Sequence, residues 1–145
     1  MGISQKCYYA IRAVHELARA GDGQALKIGT IAERQRIPLK FLEAILNQLR
    51  QAGFVESRRG NEGGYLLARP AERLSVGDII RFIEGPLTPA TCVEGHRGCG
   101  QSRAECVFWP IWKEAERALA NVYDGVTFQD LVDRSRKEVA SNFVI

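Results

Sequence analysis

Three cysteines in one glycine-rich stretch are the residues best suited to chemistry in this chain. Cys92, Cys99 and Cys106 have the spacing C-x6-C-x6-C, and the glycines between them would let three sulfurs converge. Thiolates are the usual protein ligands of iron–sulfur clusters. Structural zinc sites show closer C-x2–4-C pairs, which this stretch lacks, and a disulfide would leave one cysteine over. The residues alone leave two interpretations open, a metal or cluster site and three unliganded thiols.

A second candidate site is a polar helix face in the first half of the chain. Lys40, Glu43 and Asn47 recur at spacings of three and four, opposite an apolar stripe made of Leu39, Leu42, Ile45, Leu46 and Leu49. The DNA major groove is about 12 Å wide and admits one helix. There Lys40 could contact phosphate or guanine, Glu43 a cytosine amino group, and Phe41 a thymine methyl group. The alternative is an ordinary solvated face of an amphipathic helix.

A basic turn follows this helix. Arg58, Arg59 and Gly60 begin a glycine-rich loop over residues 58–64, between two short segments of strand-like pattern. Arginine is attracted into a narrow minor groove by its strong negative potential, and glycine lets a hairpin turn tightly. A solvated turn is the other interpretation. The loop lacks the Lys-Ser/Thr ending of a nucleotide-binding loop.

Periodicity predicts the elements that must position these residues. In the first half, a helix–helix–helix–hairpin order is typical of a winged helix-turn-helix; its segments are 4–20, 28–35, 39–52, 54–57 and 65–68. In the second half, helices are expected around a cysteine-bearing loop at 86–105, over the ranges 75–84, 106–123 and 127–138. We therefore expect a mostly α fold with a small β-hairpin wing, divided into a DNA-binding part (1–70) and a part with the cysteine loop and dimerisation helices (71–145).

Composition and charge agree with a folded, nucleic-acid-binding protein. The 145 residues are 46% hydrophobic and 26% charged, as in ordinary globular proteins. Residues 1–70 carry 11 Lys or Arg against 6 Asp or Glu, so the positive charge lies in the first half. No apolar run is long enough for a membrane span, and a cytoplasmic location with reduced thiols is expected. With two histidines and no nucleophile or cofactor motif, an enzyme is not expected.

Several motifs together resemble the Rrf2 family of bacterial winged-helix regulators. They are Tyr9-Ala10, Ile31-Ala32-Glu33-Arg34-Gln35, Phe41-Leu42-Glu43, the wing from Arg59-Gly60 to Gly63-Gly64-Tyr65-Leu66-Leu67, and the three-cysteine loop before a long helix. The resemblance covers nearly the whole chain. It implies base contacts near the start of the third helix and Arg59 in the minor groove. It also implies a homodimer formed through the helix at 106–123.

Some members of this family, the IscR-like and NsrR-like sensors, hold an iron–sulfur cluster that alters DNA binding. The resemblance therefore implies a two-iron or four-iron cluster on Cys92, Cys99 and Cys106. The gaps here are slightly longer than in those members. Where IscR-like members have a histidine, this chain has Trp109, and where others have an acidic residue it has Tyr8. The fourth ligand stays open among an exogenous thiol, water and the residues His96, Glu94, Glu105 and Cys7, although Cys7 lies on an apolar face and is expected to be buried.

The resulting expectation is a transcriptional regulator, a repressor, that binds double-stranded DNA under the control of the cluster. One alternative is a cluster-free regulator of the same fold that senses thiol oxidation, a metabolite or a partner protein. Another, from a different class, is a metal or redox protein that does not bind DNA. His15 shares a polar face with Tyr8 and Arg12, so a surface position is expected for it.

Overall fold

The computed structural model describes residues 2–90, 92, 100 and 102–143, and these form six α-helices and one two-stranded sheet. The first half contains α1 (Gln5–Ala20), α2 (Ile28–Gln35), α3 (Leu39–Gln51) and the antiparallel strands β1 (Val55–Arg58) and β2 (Gly64–Leu67). A short 3-10 helix (Ala71–Arg73) leads to α4 (Val76–Glu84), α5 (Trp109–Asp124) and α6 (Phe128–Phe143). The predicted mostly helical fold with a small hairpin is confirmed.

Side-chain caps fix where several helices begin. The Ser4 hydroxyl accepts a hydrogen bond from a first-turn amide of α1. Ser75 and Asp78 form a reciprocal capping box at α4, with bonds of 3.1 and 2.9 Å. Thr127 and Asp130 make the same pair of bonds at α6. Such caps satisfy amides that have no partner inside the helix, so the sequence determines these starts locally.

One apolar core joins the two halves of the chain. α1 lies at its centre and packs against α2, α3, α4 and α6. The fully buried side chains come from all of these helices and include Val14, Leu17, Ile31, Leu42, Leu46, Ile79, Phe128 and Val132. None of the helices within the described residues is long and apolar enough to cross a membrane.

The hairpin is tied to the turn before α2. The backbone of Leu26 pairs with Tyr65 through two hydrogen bonds of 2.8 and 2.7 Å, in addition to the β1–β2 ladder. Gly64 permits this approach, because its φ is +147° and a Cβ atom there would collide with the Leu26 carbonyl. Glycine alone adopts that backbone conformation at low cost.

Several element boundaries differ from the prediction, chiefly those of the two strands, α5 and α6. The strands lie at 55–58 and 64–67, because Arg58 pairs with Gly64 at the turn end of the ladder. At the other end, the Phe54 amide bonds to the Leu49 carbonyl at 2.9 Å. Arg58 therefore lies in β1 and not in the loop. α5 begins at Trp109, three residues later than predicted, since residues 103–105 and 107–108 form turns. α6 extends five residues further, to Phe143.

His15 was expected at the surface, and the structure places it only partly there. Its ring is half-buried, and its Nε2 atom is buried without a hydrogen-bond partner among the described residues. The backbone of Leu131 in α6 lies near the ring. Burial, followed by the nearby Arg19 charge, lowers the pKa of His15. The sequence pattern missed this because α6 covers part of the polar face of α1.

Candidate functional site

One face of α3 carries the predicted reading residues on the surface. Lys40, Phe41, Glu43 and Asn47 are all exposed, and Phe41 is 63% exposed despite its apolar ring. The opposite face is buried through the residues Leu42, Ile45, Leu46 and Leu49. The structure thus brings the four candidates together on one side of a helix whose back is fixed in the core. Leu39 was placed in the apolar stripe, but it is 47% exposed because it begins the helix beyond the core.

Aromatic packing holds Phe41 in place. Its ring lies 6.5 Å, centroid to centroid, from the tilted ring of Tyr9 in α1. The Tyr9 hydroxyl in turn accepts a 2.8 Å hydrogen bond from the Gln5 amide. Aromatic pairs at this separation attract each other beyond simple area burial. The start of α3 is therefore positioned against α1 while the outer side of Phe41 stays open.

Arg50 is a residue of this face that the sequence reasoning missed. Its guanidinium donates to the side-chain oxygen Oδ1 of Asn47 at 2.8 Å and to the Ser57 hydroxyl at 3.4 Å. It therefore links the end of α3 to strand β1. The spacing of three between Asn47 and Arg50 was a signal for the first contact, whereas the contact with the strand was not visible in the sequence.

The two wing arginines have different surroundings. Arg58 donates a 3.0 Å hydrogen bond to the carbonyl of Gly23, so it braces the hairpin against the turn before α2. Arg59 makes no hydrogen bond or ion pair within the part of the chain that the structure describes, and it is exposed beside Gly60, whose φ is +106°. Together with Lys27 they line a cleft of about 530 Å³ beside the wing. This arrangement gives the wing side a positive surface.

A buried carboxylate supports the helix pair α1–α2 from behind. Glu16 is 1% exposed and accepts hydrogen bonds from Arg19 at 2.8 Å and from Gln35 at 2.7 Å. Arg34 lies 3.5 Å from its second oxygen. Arg12 completes the network by bonding to both the side chain and the carbonyl of Gln35. The network joins α1 to the end of α2, just before the turn into α3.

α5 presents an apolar seam that the described residues leave uncovered. Ile111 and Val122 are 56% and 63% exposed, and Ala118 is exposed between them. With half-buried Ala115 they follow spacings of four, three and four, which place them on one face. Trp112 and Leu119 are further apolar residues of α5, expected from their spacing to share this face, but both are only partly exposed. None of the described α5 residues is fully buried.

Two of the three predicted cluster cysteines lie within the described residues. Cys92 and Cys106 are free thiols of intermediate exposure, while Cys99, with His96 and Glu94, lies outside the described residues. Cys106 lies next to the turn at 103–105. Within residues 2–90, 92, 100 and 102–143, no three Cys, His, Asp or Glu side chains gather as a metal site. The sulfur atoms of these two free cysteines are suitable ligands for an iron–sulfur cluster, since thiolates are its usual ligands.

The turn before α5 is held by local contacts. Glu105 accepts hydrogen bonds from the amide and hydroxyl of Ser102, which lower the pKa of its carboxyl. The Arg103 guanidinium stacks 4.7 Å from the centre of the Trp109 ring, an attractive cation–π geometry. These contacts fix the position from which Cys106 projects.

Cys7 is a structural thiol, as predicted. It is fully buried on α1, and burial raises its pKa to about 11, with a further contribution from the carboxylate of Glu84. Glu84 also accepts a 2.7 Å hydrogen bond from the Ser4 amide. Only the thiolate form of cysteine is a good ligand or nucleophile, so this thiol is poorly suited to hold a metal.

Comparison with known proteins gives a consistent result. The family model described as "Rrf2, iron-dependent transcriptional regulator" matches residues 3–134. The rrf2 protein of Nitratidesulfovibrio vulgaris is 35% identical over 132 residues, which span 91% of this chain and 87% of that protein. The solved structure of CymR, the global cysteine regulator of B. subtilis, is 30% identical and has a TM-score of 0.78, covering 92% of this chain and 98% of its own. IscR of T. potens is 30% identical with a TM-score of 0.73, covering 93% and 88%.

These neighbours confirm the winged-helix architecture, and the named regulators among them are not enzymes. The match begins in front of α1 and continues through the first turns of α6, so it includes the wing as well as the cysteine-bearing stretch. By sequence and by fold, the chain belongs to the Rrf2 family of transcriptional regulators.

Proposed function

We propose that this chain represses transcription by binding an operator in double-stranded DNA as a homodimer, under the control of an iron–sulfur cluster. The observation that carries the proposal is the single exposed face of α3, on which Lys40, Phe41, Glu43 and Asn47 project from a helix with a buried back. A helix of this kind fits the major groove. The family's role, transcriptional regulation, supports the same conclusion.

In the major groove each of these side chains contacts a different group of the DNA. Lys40 reaches a phosphate or a guanine edge, and Glu43 accepts from a cytosine amino group. Phe41 contacts a thymine methyl group from its place against Tyr9. Asn47 keeps its amide N–H donors for DNA, because Arg50 already donates to its oxygen.

The wing adds a second contact. Arg58 is used to brace the hairpin through Gly23, whereas Arg59 is free to enter the minor groove. Gly60 gives the backbone the positive φ that this turn requires. Arginine in a narrow minor groove gains from the negative potential there, so the wing reads groove width and not base identity.

The seam on α5 is the proposed contact between two copies. Ile111 and Val122 would bury their exposed side chains against the partner, and Ala115 and Ala118 would let the two helices approach closely. A two-fold dimer would set two α3 helices about 34 Å apart, one turn of DNA. This supports the homodimer through the helix predicted at 106–123.

Cys92, Cys99 and Cys106 would hold the cluster, which supplies a redox-active, thiolate-bound iron centre when it is present. The turn held by Ser102, Glu105 and Trp109 fixes Cys106 directly before α5. A change at the cysteines therefore bears on the start of the helix proposed to join the two subunits. Allosteric couplings of this kind are typically about 1–3 kcal/mol.

A cluster-free regulator is the second candidate. Its support is the similarity to CymR, which is named a global cysteine regulator, together with two free and partly exposed thiols in the described residues. In this version the same cysteines respond by thiol oxidation, and the DNA-binding part is unchanged. The relatives' role in transcription disfavours the third hypothesis, a metal protein without DNA binding.

DNA binding is tested with fragments selected by the purified protein from random duplexes. We expect Lys40→Ala and Arg59→Ala each to weaken DNA binding. Where a phosphate contact is lost, the slope of the logarithm of affinity against the logarithm of salt concentration should become shallower by about one. Glu43→Ala should relax specificity at one base pair. Lys137→Ala, at an exposed position on α6, is the matched control. If both basic variants bind all duplexes as the unchanged protein does, the proposed interface is wrong.

The cluster is tested on protein purified without oxygen, by visible absorbance, iron and acid-labile sulfide. A coloured protein whose absorbance disappears in Cys99→Ala supports the cluster. Operator affinity is then compared between the loaded and the iron-free protein, and equal affinities would refute the coupling. A colourless, iron-free protein that loses operator binding on mild oxidation would support the thiol-sensing candidate instead.

A further inference from the structure

A cleft between the end of α4 and the middle of α5 has no role in the function proposed above. Its volume is about 560 Å³, within the range of about 300–1,000 Å³ typical of small-molecule sites. It is lined by residues Arg81, Gly85, Pro86, Leu87, Lys113, Glu116, Arg117 and Ala120. All of these residues are described by the structure, so the cleft is formed without the segment that carries Cys99.

The cleft lies on the far side of α5 from the apolar seam. Lys113 and Ala120 are each two residues from a seam residue, Ile111 and Val122 respectively, which corresponds to about 200° around the helix. Arg117 falls on the same side as Lys113, one turn later. A partner subunit on the seam would therefore leave this cleft accessible.

Positive charge dominates the lining. The lining holds Arg81, Lys113 and Arg117 against Glu116, and Asp124 pairs with Arg81 beside it. Glu116 is already engaged by Lys113 through an ion pair. Surface pairs of this kind contribute little, about 0–1 kcal/mol, so an incoming anion can compete for the lysine.

Arg81 is held in position but keeps unused donors. Its two terminal nitrogens donate to the two oxygens of Asp124 at 2.5 and 2.7 Å. A guanidinium has five N–H donors, so this bidentate pair leaves three. The Asp124 pairing raises the pKa of Arg81 and lowers that of the carboxyl, so the cation is preorganised at the rim of the cleft.

Arg117 is the uncompensated cation. It makes no hydrogen bond or ion pair with any residue in the described part of the chain, and it is exposed. The wall beside it is apolar, formed by Pro86, Leu87 and Ala120. A cleft with a free guanidinium on one side and an apolar wall on the other matches a ligand with an anionic head and a short apolar body.

We propose that this cleft is a binding site for a small organic carboxylate, whose anionic group pairs with Arg117 and whose apolar body lies on Leu87 and Ala120. Such a ligand would join α5 to the segment that leaves α4 through Gly85 towards the cysteines. Its site would be separate from the cysteines proposed to hold the cluster.

The test is a titration of the full-length, isotope-labelled protein with benzoate, followed by amide NMR shifts. We expect saturable shifts at Gly85, Leu87, Arg117 and Ala120, and none with benzamide, which has the same ring without charge. Arg117→Gln should weaken benzoate binding by at least about tenfold, the loss of one charged hydrogen-bonded contact. Arg136→Gln, an exposed arginine of α6, is the matched control and should bind as before.

Three results would overturn the proposal. Equal binding of benzamide would remove the anionic requirement, and unchanged binding by Arg117→Gln would remove the assigned cation. Inorganic phosphate binding at least as tightly as benzoate would show that the apolar wall plays no part. Arg117→Gln should keep wild-type operator affinity without benzoate, which separates a failure here from a failure of the proposed DNA interface.

Discussion

Replacing Glu16 by alanine is expected to loosen the helix pair that carries α3. The carboxylate is 1% exposed, and its best-shielded contact is the 2.7 Å hydrogen bond from Gln35. A hydrogen bond to a charged group contributes about 1.5–3 kcal/mol. The ion pairs with Arg19 and Arg34 involve guanidiniums that are more than half exposed, so each is worth at most about 1 kcal/mol.

Relief of the cost of burying a charge offsets part of this loss. We therefore expect Glu16→Ala to lower the free energy of unfolding by about 2 kcal/mol, a fall in Tm of about 4–8 °C for a domain of this size. The measurement is urea unfolding followed by circular dichroism at one fixed protein concentration, because the stability of the proposed homodimer would depend on concentration. Glu33→Ala, an exposed position on α2, is the control. A change below about 0.5 kcal/mol for Glu16→Ala would refute the reasoning.

Three further predictions concern single side chains. Phe128 is fully buried where α6 meets the core, so Phe128→Ala should cost about 3–5 kcal/mol in urea unfolding, and a loss under 1 kcal/mol would contradict this packing. Burial raises the pKa of Cys7 to about 11. In metal-free protein, Cys7 should therefore react with iodoacetamide at least about tenfold more slowly than Cys92 or Cys106. Labelling is measured by mass spectrometry, and equal rates at all three cysteines would contradict the burial of Cys7 on α1. Burial lowers the pKa of His15 in the folded protein below its ordinary 6.5. As the pH falls, the unfolded chain therefore binds a proton at His15 before the folded protein does. Stability should thus fall as the pH drops through 6.5, and His15→Asn should remove that part of the pH dependence.

The helix starts could be predicted because their causes are local. Ser4 and Ser75 cap helices through residues only three positions away, and sequence spacing reveals such pairs directly. α5 was harder, since Trp109 begins it after a turn held by Ser102 and Glu105. Apolar spacing continues through that turn and does not distinguish it from a first helical turn.

Contacts between distant segments could not be predicted. Glu16 looks like a surface residue in a helical pattern, yet it lies among partners from α2 that are 18 or 19 residues away. His15 is half-buried for a similar reason, because α6 covers it. A periodic pattern separates polar from apolar positions, but it does not show which polar positions another helix will cover.

The candidate site was predictable to different extents. Spacing alone predicts that Lys40, Glu43 and Asn47 share one exposed face of α3, and the structure confirms that all three are exposed there. The different surroundings of Arg58 and Arg59 depend on the turn at Gly23, which the sequence did not connect to the wing. DNA contacts by these residues remain a prediction.

The backbone pairing of Leu26 with Tyr65 determines which mutations could move the hairpin as a whole. A two-stranded hairpin is only marginally stable alone, and here two extra backbone bonds couple it to the residues in front of α2. Because they use only main-chain atoms, side chains at the hairpin tip can change without loosening this attachment. A change in the length of the turn at residues 21–27 would instead shift the position of the whole hairpin. In the DNA complex proposed above, tip substitutions would alter what the wing touches, whereas insertions in that turn would alter the position of the hairpin relative to α2.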